Sequence, residues 1–151
     1  MTGRTAAIAL TLLVWSSAGQ TGTVRLDDTL THTVPANVQM QWRPFVRGER
    51  DAGMEAWVRV NVRIDTREWM GRSGQVYLVL DSDDTSAMEA EWTTEGRLLA
   101  GRIRSGERTL VYSGTLTTAT LDDQLVMRLR SLSDWRGSTR RLNFHFEFDT
   151  P

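Results

Sequence analysis

Two histidines are the residues of this chain best suited to move a proton at neutral pH, because imidazole titrates closer to pH 7 than the other side chains. His32 stands among threonines in an N-terminal segment, and His145 lies on the polar side of an alternating run near the C-terminal end. Neither histidine is near a Gly-x-Ser-x-Gly turn, which presents a nucleophilic serine in many hydrolases. We therefore assign no catalytic residue and predict that the protein is not an enzyme.

The densest acidic cluster, Asp81-Ser82-Asp83-Asp84, offers the oxygen ligands that Ca²⁺ prefers. It lacks the glycine and the distal glutamate of an EF-hand loop, and acidic residues between apolar runs are typical of a solvated turn. The chain contains no cysteine, which excludes thiol catalysis and cysteine-ligated zinc. Its glycines form no phosphate-binding loop between a strand and a helix. We predict no metal site and no cofactor.

Tryptophan is the remaining residue type with a specific binding chemistry, since an exposed ring stacks on sugars or anchors a protein interface. Trp42 and Trp92 fall on apolar faces of alternating runs and are expected in the core. Trp57 falls on an outward face, and Trp69 and Trp135 stand beside turn segments. These three residues support the hypothesis of a self-contained secreted or periplasmic binding module, with carbohydrate as one class of ligand.

The first residues have the order of a secretory signal peptide. Arg4 supplies a positive charge, Ala6 to Trp15 is an uncharged apolar run, and Ser16 to Gly19 are small residues. The apolar run is about ten residues, against the ~20 that a membrane-spanning helix needs. We predict a signal peptide over residues 1–19, export, and no membrane insertion. The remainder has the size of one domain, with an N-terminal extension or first strand at 20–36 and a β-sandwich at 37–151.

The charge pattern argues against nucleic-acid binding. The chain has 18 basic and 19 acidic residues, and every basic residue is arginine. The acidic residues are interleaved with the arginines, whereas a nucleic-acid site requires a continuous basic face. No nucleic-acid partner is therefore predicted.

Alternation of apolar and polar residues dominates from Val24 onward, and helical periodicity is scarce. Ala56 to Ile64 and Leu142 to Phe148 alternate most clearly, while Gln75 to Leu80 contains a continuous apolar run typical of a strand covered on both faces. Glycine-, serine- and aspartate-rich turns separate the runs. The sequence predicts an all-β, immunoglobulin-like antiparallel sandwich, either complete or completed by a partner's strand.

The segment from Thr23 to Val34 has polar residues at its odd positions and mostly apolar residues at its even positions. It ends at Val34-Pro35, where proline cannot donate to a ladder. Two interpretations remain open. The segment is a first strand that pairs within its own sheet, or it is a strand donated to a neighbouring copy.

With these features the chain resembles a small pilus (fimbrial) subunit of the chaperone–usher type. The resemblance rests on the signal peptide, the alternating N-terminal extension, the single sandwich domain and the alternating final strand. It extends over Val60 to Asp81 (VNVRIDTREWMGRSGQVYLVLD) and Gly96 to Gly114 (GRLLAGRIRSGERTLVYSG).

The resemblance implies a non-enzymatic structural subunit of a surface pilus, a fibre that serves cell adhesion. Its partners would be a periplasmic chaperone and other pilus subunits, and it would pass through the periplasm to an extracellular fibre. The residues inserted into a neighbour would be Val24, Leu26, Leu30 and Val34. The final strand would border the groove that receives a donated strand, through Leu142, Phe144, Phe146 and Phe148.

Overall fold

The computed structural model describes residues 22–36, 38, 40–42, 53–82, 88–131 and 142–151. The predicted signal peptide at 1–19 and residues 20–21 lie outside this range. The described residues form ten strands and one short 3₁₀ helix, Arg67–Trp69. The strands are β1 Gly22–Arg25, β2 His32–Val34, β3 Gln41–Trp42, β4 Met54–Asp65, β5 Ser73–Leu80, β6 Met88–Thr94, β7 Gly101–Arg104, β8 Arg108–Thr115, β9 Thr120–Ser131 and β10 Phe144–Thr150. Within these ranges, no helix has the length and apolar character to cross a bilayer.

The strands form two antiparallel sheets, and the predicted all-β antiparallel sandwich is confirmed. Sheet A has the order β1-β10-β5-β8, and sheet B has the order β2-β4-β9-β6-β7 with β3 also pairing with β4. The strands β4 and β9 pair over twelve residues each and form the centre of sheet B.

The connections follow a jelly-roll order, which refines the immunoglobulin-like expectation. When the short strands β2 and β3 are set aside, β1 pairs with β10, β4 with β9, β5 with β8, and β6 with β7. This nesting is that of a long antiparallel hairpin rolled into two Greek keys. An immunoglobulin sandwich instead divides its strands as ABED and CFG. In the described residues, the strand that pairs with the outer edge of β10 is β1 of the same chain.

The core lies between the sheets and is built by the alternation read from the sequence. On β4, all five inward positions are buried, from Ala56 to Ile64 at every second residue. Four of them lie beside a buried residue of the neighbouring strand β9, which contributes Leu121, Leu125, Met127 and Leu129 to the same face of sheet B. Burying the apolar half of each strand supplies the main favourable free energy of folding.

The N-terminal segment passes from one sheet to the other. β1 pairs with β10 in sheet A, with Gly22 opposite Thr150, and β2 pairs with β4 in sheet B. Between them, Asp27 Oδ1 accepts hydrogen bonds from the backbone N–H and the hydroxyl of Thr29, and Thr31 N–H donates to Asp28 O at 2.8 Å. Because of this turn, the side chains at even positions point inward on β1 and outward on β2. The segment is therefore two short strands and not one continuous strand.

Candidate binding surface

The four residues predicted to be inserted into a neighbour are divided between the inside and the outside of the chain's own sandwich. Leu26 is buried in the core, and Val24 is half-buried on β1 opposite Phe148. Leu30 in the turn is 65 % exposed, and Val34 on β2 is 45 % exposed. The segment therefore contributes its first two apolar residues to its own domain and leaves the last two at the surface.

The final strand lies inside sheet A, between β1 and β5. Phe146 and Phe148 are fully buried, and Leu142 and Phe144 are half-buried against the same core. The side of β10 that was expected to border a groove is covered by β1 from Glu147 to Thr150.

The two histidines lie in different sheets and have different partners. His145 of sheet A is half-buried between acids, with Nδ1 3.2 Å from Asp81 Oδ1 and Nε2 3.4 Å from Glu147 Oε1. His32 of sheet B contacts Asn61, whose Nδ2 lies 3.1 Å from His32 Nε2. In the described part of the chain, neither imidazole has a hydrogen bond to a hydroxyl group. Within the same residues, no group of three histidine or acidic side chains has an arrangement that could hold a metal ion.

The tryptophans separate into core and surface. Trp92 is buried and donates its indole N–H to Leu99 O at 3.0 Å, as expected for a core residue. Trp69 is half-buried and its ring packs 5.5 Å from that of Phe148. Trp57 is 60 % exposed on β4. The side chain of Trp42 and all of Trp135 lie outside the described residues.

The outer face of sheet B consists mostly of charged residues that pair across strands. Arg63 Nε lies 2.5 Å from Asp122 Oδ1, and Arg104 Nε lies 3.2 Å from Glu89 Oε2. The pKa of the Asp122 carboxyl is lowered by hydrogen bonds from Thr120 and Arg63. Pairs of this kind at an exposed surface contribute at most about 1 kcal/mol each, so they make the face soluble more than they stabilise it.

Trp57 is held in place at the middle of this face by a cation. Arg128, directly opposite on β9, places its guanidinium carbon 5.7 Å from the centre of the indole ring. Arg128 also donates to Glu55 Oε2 at 2.8 Å, which holds the guanidinium beside the ring. A cation near an aromatic face contributes about 0.5–1 kcal/mol at exposed sites. The ring is thereby oriented while most of its surface stays open.

A second cation, Arg59, lies next to Trp57 on the outer face and has apolar neighbours on both adjacent strands. Arg59 is exposed, lies opposite Val34 of β2 on one side, and lies opposite Val126 of β9 on the other. We call the surface formed by Val34, Trp57, Arg59 and Val126 the Trp57 patch. Among the residues that the structure describes, no carboxylate pairs with Arg59.

A chain of side-chain amides borders the Trp57 patch. Gln124 Nε2 donates to Asn61 Oδ1 at 2.9 Å, and Asn61 Nδ2 lies 3.1 Å from His32 Nε2. His32 Nδ1 in turn lies 3.2 Å from Leu30 O, which is consistent with donation to that carbonyl. These bonds fix the amides in one orientation, so polar groups beside the patch are pre-organised.

Sequence reasoning identified Trp57 but not the rest of the patch. The outward position of Arg59 follows from its place two residues after Trp57 on an alternating strand. Val34 and Val126 become its neighbours only through the register of β2 and β9 against β4. No local pattern in the sequence carries that register.

Comparison with known proteins identified no relative of this chain. The chain matches no protein-family model, no curated protein and no solved structure.

Proposed function

We propose that this protein is an exported, non-enzymatic β-sandwich that works by binding a ligand at the Trp57 patch. The observation that carries the proposal is the 60 % exposure of Trp57 on a strand whose opposite face is core. A large aromatic side chain left in water gives up the free energy that its burial supplies, and aromatic residues dominate the energetics of binding surfaces.

The scaffold under the patch is suited to binding because it is rigid. Trp57 and Arg59 alternate with the buried residues Ala56, Val58 and Val60, so the strand cannot shift without opening the core. Sites built on strands hold their side chains more accurately than sites built on loops. A ligand would therefore lose little affinity to the ordering of the protein.

The pairing of the N-terminal segment supports a self-contained module. β1 and β2 pair with strands of the same chain, and Leu26 is 3 % exposed. A domain whose first strand already covers its final strand needs no donated strand to complete its sheet.

A glycan-array screen with matched variants tests the proposal. We expect the wild-type protein to bind at least one immobilised glycan and Trp57→Ala to lose that binding. Leu99→Ala is the control, because Leu99 is an exposed apolar residue (47 %) in the segment between β6 and β7. Equal melting temperatures would show that both variants are folded. Binding unaffected by Trp57→Ala, or no binding to any glycan, would overturn the proposal.

A second candidate is the pilus subunit that the sequence resembles, with partners of the same kind and a periplasmic chaperone. The observation that favours it is the position of β1, which runs antiparallel beside the final strand and directs Val24 and Leu26 inward. A strand donated by a neighbouring subunit would occupy such an edge by exchange of β1.

A peptide-exchange experiment separates the two candidates. A pilus subunit would bind a peptide covering Thr23 to Val34 and would form concentration-dependent oligomers. A self-contained module would be monomeric, unfold cooperatively and ignore the peptide. Size-exclusion chromatography and thermal unfolding with and without the peptide measure both properties.

A further inference from the structure

The Trp57 patch contains a positive charge that no carboxylate among the described residues neutralises. On the same face, Arg63 pairs with Asp122 and Arg128 pairs with Glu55. In the ranges that the structure describes, Arg59 has no such partner, and its cross-strand neighbours are the valines Val34 and Val126. An exposed guanidinium surrounded by apolar groups attracts an anion more strongly than one surrounded by acids.

The geometry of Arg59 and Trp57 fits one ligand that has a ring and a carboxylate. The two residues point to the same side of β4 and are two residues apart, which is about 7 Å along a strand. A guanidinium binds a carboxylate through two parallel hydrogen bonds in one plane. The open face of an indole accepts the apolar face of a sugar ring.

The amides that border the patch add groups for hydroxyl recognition. Within the described part of the chain, the bonds among Gln124, Asn61 and His32 leave Gln124 Oε1 and one N–H of each amide without a protein partner. A sugar hydroxyl can donate to that oxygen and accept from those N–H groups.

We propose that the Trp57 patch binds a glycan that contains uronic acid, with the sugar ring on Trp57 and its carboxylate on Arg59. The inference rests on the proposed function and specifies its ligand. A single available arginine matches one negative charge per site. The nearby carboxylates of Glu55 and Asp122 and the net charge of -1 disfavour a densely sulfated chain.

Calorimetric titration of the full chain with tri-galacturonate tests the inference, with its methyl ester as the uncharged probe of the same shape. We expect the acid to bind at least tenfold more tightly than the ester. Arg59→Gln should remove that difference, and Trp57→Ala should weaken binding of both probes. Arg63→Gln, on the same face of the same strand, is the matched control and should change neither affinity by more than about twofold.

The outcomes distinguish the failure of the inference from that of the proposed function. Equal binding of acid and ester that still depends on Trp57 would overturn the carboxylate assignment and leave the binding module standing. Arg59-dependent binding of dextran sulfate, which contains no uronic acid, or of an acidic peptide, without binding of tri-galacturonate, would also overturn it. Absence of any Trp57-dependent binding across the glycan array would overturn the proposed function.

Discussion

The backbone N–H of Leu26 donates a hydrogen bond of 2.9 Å to the carbonyl oxygen of Phe146, and both side chains are buried. The next residue, Asp27, already bridges to Asp65 in sheet B. Leu26 therefore fills the edge of the sandwich where the chain passes between the two layers.

Truncating Leu26 should destabilise the domain much more than truncating a leucine four residues later. Leu26→Ala removes a buried side chain and is expected to cost about 2–4 kcal/mol of unfolding free energy. Leu30→Ala removes a side chain that is 65 % exposed and should stay within about 0.5 kcal/mol of wild type. Urea unfolding measures both values. Equal effects would mean that the N-terminal segment does not pack against this domain in solution.

Gly74 should not tolerate a side chain. A Cβ at this position would meet the backbone oxygen of Asp149 and lie 2.6 Å from the Phe148 ring, whereas a Cβ at Gly22 would meet nothing. Gly74→Ala is expected to lower stability by about 1–3 kcal/mol, and Gly22→Ala to change it little. Thermal unfolding of the two variants compares them. A neutral Gly74→Ala would contradict the close approach of β5 and β10.

Asp123 holds the segment between β6 and β7 against β9. Its carboxylate accepts hydrogen bonds from the backbone N–H groups of Leu98 at 2.7 Å and Gln124 at 2.6 Å. Asp123→Ala should cost about 1–3 kcal/mol because the Leu98 amide loses its partner where Leu98 is buried. Asp122→Ala, which removes an exposed pair with Arg63 and an exposed hydrogen bond from the Thr120 hydroxyl, should cost less than about 1 kcal/mol. Chemical denaturation of both variants provides the comparison.

Acid should destabilise the protein mainly below pH 4. Hydrogen bonds from Arg67 lower the pKa of Asp65 to about 2, and hydrogen bonds also lower the pKa values of Asp27, Asp122 and Asp149. A carboxyl whose folded pKa is below the unfolded value of 3.8 stabilises the fold above that value, and this contribution is lost as the pH falls.

The urea midpoint measured from pH 5 to pH 2 should therefore fall, and Asp65→Asn should make the fall shallower. Burial raises the pKa of Asp28, so this group acts in the opposite direction and favours the folded state more as it becomes protonated. Asp28→Asn should make the fall steeper. Parallel profiles for wild type and both variants would contradict these assignments.

The strands and the core could be read from the sequence because alternation is a local property. The inward set of β4 and the phenylalanines Phe146 and Phe148 are buried as the pattern predicts. The apolar run in β5 is covered less completely than expected. Val76, Leu78 and Leu80 are buried, whereas Tyr77 and Val79 on the outer side of the strand are half-buried. The guanidinium carbon of Arg108 lies 3.8 Å from the centre of the Tyr77 ring on that side.

The strand order and the patch could not be read in the same way. The turn from Asp28 to Thr31 depends on hydrogen bonds to Asp27 and reverses which side of the segment faces inward. The meeting of Arg59 with Val34 and Val126 depends on long-range register, which is set by how the whole sheet pairs. Local alternation fixes which side of a strand is apolar, and only the pairing decides its neighbours.

The antiparallel pairing of Gly22 with Thr150 has a consequence for how the domain can be joined to other molecules. A carrier fused ahead of Gly22 and another fused after Pro151 would start from adjacent points on sheet A. The Trp57 patch is on the outer side of sheet B, the other layer of the sandwich. Tethering at either end, or insertion of the whole unit into a host polypeptide, would begin on the layer opposite the Trp57 patch and would leave that patch uncovered.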